Sequence, residues 1–226
     1  PTKRNTEGGA SGFLVGYAPG VPATVLEPGQ AKLVKAGTDI VLQLHYTANG
    51  KETTDQSKVG IVFAKEPPRE RVLTLSATNT KFEIPPGAAD FPVESKFEFK
   101  GGGKLVALIP HMHLRGKSFE FRLVYPDGRT DVLLKVPRYD FNWQLGYQPA
   151  PFIDVPAGAR LECTATFDNS PNNPFNPDPK AAVRWGEQSW DEMMMGFFDI
   201  AIDAKLDPGS HFRGRPAAAR STNGGE

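Results

Sequence analysis

Cysteine, histidine and long apolar runs are all scarce in this sequence. One cysteine, Cys163, stands among 226 residues, which excludes an intramolecular disulfide and a cysteine-rich zinc site. No run approaches the roughly 18 apolar residues that a membrane helix requires, so no membrane span is expected. The 26 basic residues balance 26 acidic ones and are scattered along the chain, which argues against nucleic acid as a partner.

Amphipathic helical patterns are also missing, and short alternating segments take their place. The 23 glycines and 21 prolines punctuate these segments in the manner of an all-β sandwich. Strands are predicted at Asp39–Tyr46, Lys58–Ala64, Glu94–Phe99, Lys104–Ile109, Ser118–Tyr125, Thr130–Val136, Arg160–Phe167 and Met195–Ile202.

Three other segments carry no strand pattern. Residues 64–71 form a polar, proline-bearing break, and residues 169–179 read as an irregular loop rich in asparagine and proline. Residues 207–226 hold one aromatic residue among Gly, Pro, Ala, Arg and Ser, which predicts a disordered tail.

Two of the four histidines lie two residues apart, at His111 and His113. Residues i and i+2 share a face of an extended segment, so both imidazoles can reach one metal ion. The alternative is a pair of surface histidines at the end of a strand. His45 lies on the face of its predicted strand that is opposite the apolar face. Its side chain either points into a cleft or is solvated.

Three consecutive methionines, Met193 to Met195, precede an apolar segment. A thioether is a soft donor, and together with two imidazoles it favours copper over cations that prefer oxygen. Because a strand alternates its faces, Met193 and Met195 should face one way and Met194 the other. Packing in the core is the alternative role for such a run.

Two other metal folds fit the sequence poorly. A blue-copper site needs a histidine soon after its cysteine, but the next histidine after Cys163 is His211. Cys163 is expected to be a buried apolar residue. A cupin site also contains two histidines with the spacing of His111 and His113. Its glutamate should follow them closely, but Glu120 lies too far along the chain.

Three motifs together resemble the copper type II, ascorbate-dependent monooxygenases, the family of peptidylglycine alpha-hydroxylating and dopamine beta-monooxygenases. They are Leu42-Gln43-Leu44-His45-Tyr46, His111-Met112-His113-Leu114-Arg115-Gly116-Lys117 and Asp191-Glu192-Met193. The resemblance implies a jelly-roll-like antiparallel β-sandwich at residues 75–206 and the incomplete C-terminal part of a second sandwich at residues 1–70. It further implies copper-dependent hydroxylation of a substrate C–H bond, with dioxygen as oxidant and ascorbate as reductant.

Carried over by motif, the resemblance assigns His111, His113 and Met193 to an oxygen-binding copper. It makes His45 a remnant of a second, electron-supplying copper site. The histidine pair that would complete that second site is absent, so the chain is expected to be either part of a longer protein or a natural truncation that has lost one site, and to be inactive by itself. Met194 stands where animal members of the family have a disulfide-bonded cysteine, which suits a bacterial-looking branch.

Substrate and location follow from the same resemblance. Ile109 and Phe197 replace the family's carboxylate-binding Arg and Tyr, so a small-molecule substrate without a peptide C-terminal carboxylate is expected. The resemblance implies a periplasmic or extracellular location. A non-catalytic β-sandwich that binds copper or a protein partner is the rival hypothesis. The polar residues of segment 140–144 either lie near the site or cap a turn.

Overall fold

A computed structural model describes residues 12–213, and nearly all of their regular structure is strand. In chain order the elements are β1 (Gln30–Ala31), β2 (Glu70–Asn79), β3 (Glu83–Ile84), β4 (Phe91–Glu98), β5 (Gly103–His111), β6 (Gly116–Val124), β7 (Thr130–Val136), β8 (Ile153–Val155), β9 (Arg160–Phe167), β10 (Val183–Arg184), β11 (Met194–Asp203) and α1 (Pro208–Arg213). Within residues 12–213 no helix has the length and apolar character needed to cross a bilayer.

Two facing sheets form the body of the protein. One has the strand order β1-β2-β11-β5-β8 and the other β4-β9-β6-β7, while β3 and β10 form a separate ladder. Apart from the short parallel pair of β1 and β2, neighbouring strands are antiparallel. The chain crosses repeatedly between the sheets from β4 to β11, which is the arrangement of a jelly roll. The expected all-β, jelly-roll-like sandwich is confirmed.

Strict alternation along the strands builds the core between the sheets. In β9 every second side chain points inward, and Leu161, Cys163 and Phe167 are at most 1% exposed. They pack with Phe198 and Ile200 of β11, which belong to the opposite sheet. The six strands predicted between residues 94 and 202 are therefore present with small differences at their ends, and Cys163 is the buried apolar residue expected.

Two predicted strands do not form, and these predictions are wrong. Residues 32–69 contain neither helix nor strand, so Asp39–Tyr46 and Lys58–Ala64 are irregular. Their apolar side chains stay exposed; Leu42 and Leu44, for example, are each 50% exposed. Alternation stabilises a strand only when a neighbouring strand and a covered face exist, and the described residues provide neither here.

The predicted disordered tail is also wrong for its first residues. Helix α1 places Phe212, which is 7% exposed, against Phe97 and Phe99 with ring centroids 6.3 and 6.4 Å away. His211 Nε2 lies 2.6 Å from the carbonyl oxygen of Gly102. One aromatic residue is thus enough to dock this helix, because the sandwich offers it an apolar site. The rest of the predicted tail, residues 214–226, lies outside the described residues.

A buried ion pair joins the first residues of the structure to the sandwich. Lys32 Nζ lies 3.4 Å from an Asp199 carboxylate oxygen and donates to Thr74 Oγ1 at 2.7 Å. The same ammonium donates to the carbonyl oxygen of Leu14 at 3.2 Å. Because Asp199 belongs to β11 and Thr74 to β2, the segment that precedes β1 is held against this sheet.

Replacing Gly196 with alanine should destabilise the sandwich. A Cβ at Gly196 would lie 2.5 Å from Cys163 Sγ and 2.9 Å from Phe121 Cε1, so the facing sheet would have to move. We expect Gly196→Ala to lower the free energy of unfolding in urea by about 1–3 kcal/mol. The matched control is Gly60→Ala, because a Cβ there meets nothing within 4 Å. Equal stability of the two variants would contradict the packing described here.

Candidate metal centre

The two imidazoles of the His111–His113 pair are close neighbours. His111 is the last residue of β5, and His113 follows after Met112, which is fully buried in the core. The ring centroids of His111 and His113 are 5.3 Å apart, and their planes are almost perpendicular. The i, i+2 spacing thus places both rings on one side of the chain, away from the core side chain between them.

A glutamine fixes the orientation of the His111 ring. Nδ1 of His111 lies 2.7 Å from Gln144 Oε1, while Gln144 Nε2 donates to the carbonyl oxygen of Phe141 at 2.8 Å. This second bond sets which amide atom faces the imidazole, so Gln144 presents an acceptor and Nδ1 must carry the proton. The lone pair of His111 is therefore on Nε2, available to a ligand.

His113 is oriented in the same way by the backbone. Its Nδ1 lies 3.2 Å from the carbonyl oxygen of Asp191, and a carbonyl can only accept a hydrogen bond. Nδ1 of His113 therefore carries the proton and Nε2 holds the lone pair. A hydrogen bond from the second ring nitrogen to a carbonyl or amide is the arrangement that metal-binding histidines almost always show.

Burial keeps both rings neutral. It lowers the pKa of His111 to about 4, although the hydrogen bond to Gln144 opposes this shift. Burial also lowers the pKa of His113, against the opposing effect of the carbonyl groups of Asp191 and Gln188. Neutral imidazole is the form that binds a metal ion, so the pair needs to lose no proton near neutral pH.

His45 lies near this pair in space. A positive charge on its imidazole lowers the pKa of both His111 and His113, so His45 lies within electrostatic range of the pair. His45 itself is exposed and sits in the irregular segment before β2. Among residues 12–213, no three side chains of His, Cys, Asp or Glu are grouped closely enough to hold a metal ion. The predicted site requires two imidazoles and one thioether, so it does not depend on such a group.

The three methionines divide between the two faces of β11, as their alternation predicts. Met194 is fully buried in the core, whereas Met193 and Met195 are partly exposed. Met195 is the cross-strand partner of His111 in the ladder between β5 and β11, and side chains directly opposite each other share one face. Met195 therefore shares the face that carries His111, while Met193 directly precedes the strand.

A buried carboxylate joins the histidine segment to the methionine segment. Glu192 is fully buried, and its two oxygens accept the backbone N–H groups of His113 at 2.8 Å and Arg115 at 2.6 Å. Burial raises the pKa of this carboxyl to about 8, and the N–H groups together with the Arg115 charge oppose that shift. Glu192 directly precedes Met193, so this contact holds the proposed ligands in register.

Arg115 extends this contact into the irregular loop at residues 169–179. The buried guanidinium donates from Nε to Asn169 Oδ1 at 2.8 Å and from Nη1 to the carbonyl oxygen of Trp190 at 2.7 Å. Asn169 is fully buried and donates to the carbonyl oxygens of Pro85 and Ala181. Sequence reasoning missed this network, because a single arginine after the histidines gives no sign that it will be buried.

Apolar side chains surround the histidine pair. Phe197 lies 6.2 Å from His111 between ring centroids, and Phe141 lies 6.0 Å from His113. Ile109 is the cross-strand partner of Phe197, so both side chains share the face that carries His111. Neither Ile109 nor Phe197 has a hydrogen-bond donor on its side chain that could hold a carboxylate.

The segment at residues 140–144 fits both interpretations that the sequence allowed. Asp140 Oδ1 accepts the backbone N–H of Asn142 at 2.8 Å, as in a capped turn. The same turn directs Phe141 toward His113 and Gln144 toward His111. Gln144 is the residue whose role the sequence left undefined, because its contact depends on the path of the whole loop.

Comparison with known proteins adds little to this geometry. No family model and no curated protein matches the chain. A solved structure of the VP2 subviral particle of infectious bursal disease virus shares 12% identity at a TM-score of 0.31, over 68% of this chain and 39% of that chain. The structure of the Gx strain of that virus gives 14% identity and a TM-score of 0.28, over 69% and 40% of the two chains. This chain thus spans about two fifths of either viral chain.

Stability of the metal-free protein should depend on pH through these two histidines. An unfolded chain protonates histidine near pH 6.5, whereas His111 in the folded state does so at about 4. Between these values the unfolded state binds more protons, so the free energy of unfolding falls as the pH is lowered through this window. The Glu192 carboxyl, whose pKa is raised to about 8, has the opposite effect over much of this range, so the loss is measured as a difference between variants. In urea denaturation, the free energy of unfolding of the parent relative to that of His111→Gln should fall as the pH is lowered from about 7 to about 4.

Nuclear magnetic resonance tests the same point directly. The His111 ring signals of the metal-free chain should keep the positions of a neutral imidazole down to about pH 5. A titration midpoint near that of a free histidine would contradict the burial described here.

Proposed function

We propose that His111, His113 and Met193 bind copper, and that this domain is the oxygen-binding part of a copper-dependent monooxygenase. The observation that supports this most is the hydrogen bonding of the two rings. Both Nδ1 atoms face acceptors, so the lone pairs lie on Nε2 in two rings whose centroids are 5.3 Å apart. Two solvated histidines at the end of a strand would bond to water instead of to Gln144 and the Asp191 carbonyl.

The donor set fits copper better than other metal ions. Two neutral imidazoles and a thioether form a soft set that suits the reduced state of copper, whereas Mg²⁺ and Ca²⁺ require oxygen ligands. Met193 is the thioether that follows Glu192, whose carboxylate holds the backbone of His113. Met193 directly follows Glu192 in the chain, whereas Met195 lies three residues beyond it. This proximity favours Met193 over Met195 as the third ligand.

Bound copper would supply the redox chemistry that transfers an oxygen atom from dioxygen to a substrate C–H bond, with electrons from ascorbate. The residues of this chain have separate tasks around it. Gln144 and the Asp191 carbonyl orient the rings so that the lone pairs lie on Nε2, and Glu192 fixes the backbone at His113. Phe197 and Ile109 keep the neighbouring surface apolar, which suits a small-molecule substrate without a carboxylate.

The second copper of the proposed reaction needs more than this chain supplies. His45 is the residue that the resemblance assigns to it, and one imidazole cannot hold the ion. The proximity of His45 to the pair is compatible with an electron-supplying site on this side of the domain. We therefore assign the activity to a longer protein in a periplasmic or extracellular location. A copper-binding sandwich without activity is the alternative, and ascorbate-driven oxygen uptake by that longer protein separates the two.

Copper(I) competition with a chromophoric chelator tests the site itself. We expect one copper ion per chain, with the affinity reduced in Met193→Leu by more than the roughly 10- to 100-fold typical of changes outside the ligand set. The controls are Met194→Leu, which alters the core, and Met195→Leu, which alters the neighbouring thioether. Both controls should keep the parent affinity. A loss confined to Met195→Leu would overturn the assignment of Met193, and no tight copper binding in the parent would overturn the proposed function.

The orienting hydrogen bond provides a second test. Gln144→Ala removes the acceptor that holds His111 Nδ1, so copper(I) affinity should fall by about 10- to 100-fold while the stoichiometry stays the same. Asn142→Ala is the matched control, because in the same turn the bond of Asn142 comes from its backbone N–H. If both variants bind copper like the parent, the glutamine does not orient a ligand.

A further inference from the structure

The chain places one of its own aromatic rings on the apolar surface beside the histidine pair. Phe13 stacks on Phe197 with ring centroids 5.7 Å apart and planes inclined by 19°. Phe197 in turn lies 6.2 Å from His111. Phe13 thus covers a ring that borders the proposed copper site, although it is separated from Phe197 by 184 positions in the sequence.

The segment that carries Phe13 fits closely against its surroundings. This N-terminal strap, residues 12–21, is tied to the sandwich by the bond from Lys32 Nζ to the Leu14 carbonyl oxygen. A Cβ at Gly16 would lie 2.9 Å from the Phe13 ring, and one at Gly20 would lie 2.7 Å from the Trp143 ring. Glycine at both positions lets the strap pass directly over its own ring and over the loop beside the site.

The covering ring is nevertheless poorly buried. Phe13 remains 41% exposed, whereas core phenylalanines such as Phe121 are completely buried. The strap contains no helix or strand, and its contacts with the sandwich include the stacked ring pair, the Lys32 bond and the packing of Gly20 against Trp143. A stacked aromatic pair contributes modestly beyond its buried area, so a competing ring can displace it.

We infer that the surface formed by Ile109, Phe197 and Phe141 binds an uncharged small molecule with an aromatic ring, and that Phe13 occupies its place in the free protein. This inference rests on the proposed function for calling that molecule a substrate. The stacking of Phe13 shows the chemistry that the surface accepts, namely a flat apolar group parallel to Phe197. A ring seated there lies beside His111, where the proposed chemistry would take place.

Because Phe13 occupies the surface in the free protein, it weakens the binding of an external aromatic molecule by a predictable amount. The apparent affinity for an external ring equals the intrinsic affinity multiplied by the fraction of molecules in which Phe13 has left the surface. A stacked pair of ordinary strength implies that removing Phe13 tightens binding by about three- to tenfold. Removing Phe197 should have the opposite effect, because it deletes the surface itself.

The test measures binding of 4-fluorotoluene to the metal-free 226-residue chain by fluorine nuclear magnetic resonance, in the presence of a chelator. Phe13→Ala should bind this probe about three- to tenfold more tightly than the parent. Phe197→Ala should bind it more weakly than the parent. Tyr17→Ala is the matched control, because Tyr17 lies on the same strap and is 83% exposed. The charged analogue 4-fluorobenzoate should bind much more weakly than 4-fluorotoluene to every variant.

The outcomes separate clearly. Tighter binding in Phe13→Ala alone, with the Ile109 methyl signal shifting on addition of the probe, supports the inference. Unchanged or weaker binding in Phe13→Ala, or equal binding of 4-fluorobenzoate, overturns it. Thermal unfolding of each variant, and the Ile109 signal in the parent, show whether a loss reflects misfolding. Because no copper is present, failure of the copper titration refutes the proposed function and leaves this binding result intact.

Discussion

One buried carboxylate holds the candidate site together. Glu192 accepts the backbone N–H groups of His113 and Arg115, and the chain continues from it directly to Met193. Burying a carboxylate is costly, as its raised pKa of about 8 shows, and the two N–H groups with the Arg115 charge offset that cost. Because the bond from Glu192 holds the backbone of His113, the position of the His113 side chain is restricted as well. Together with the bonds from His113 to the Asp191 carbonyl and from Arg115 to the Trp190 carbonyl, the Glu192 side chain fixes two segments that are 79 residues apart in sequence.

The jelly roll gives this contact its setting. Strands β5 and β11 are neighbours, and their register places His111 opposite Met195 and Ile109 opposite Phe197. The alternate residues of the same two strands point into the core, where Met194 is completely buried. One strand pair thus stabilises the sandwich with one face and builds the candidate site with the other. Ile109, His111, Met195 and Phe197 share a face because the period of a strand is two.

Much of the fold was predictable because alternation and turn residues act locally. The strand Arg160–Phe167 has the same bounds in prediction and structure, since every second residue is apolar and both ends are punctuated. The pattern at Asp39–Tyr46 is just as regular, yet no strand forms there. Alternation describes what a segment can bury, whereas pairing depends on a second strand that lies elsewhere. The docking of α1 was missed for a similar reason, because the apolar site that receives Phe212 comes from other parts of the chain.

The sequence by itself determined the all-β class and the period of the core strands, and it predicts two imidazoles and a thioether as the donors of the proposed site. Only the tertiary structure decided that Gln144 orients His111, that Glu192 joins the histidine segment to the methionine segment and that Phe13 covers Phe197. The reason is physical. Alternation and side-chain chemistry belong to residues close together in the chain, whereas the tautomer of a ring and the neighbour of a surface depend on contacts between distant segments. Those contacts exist only after the two sheets have packed.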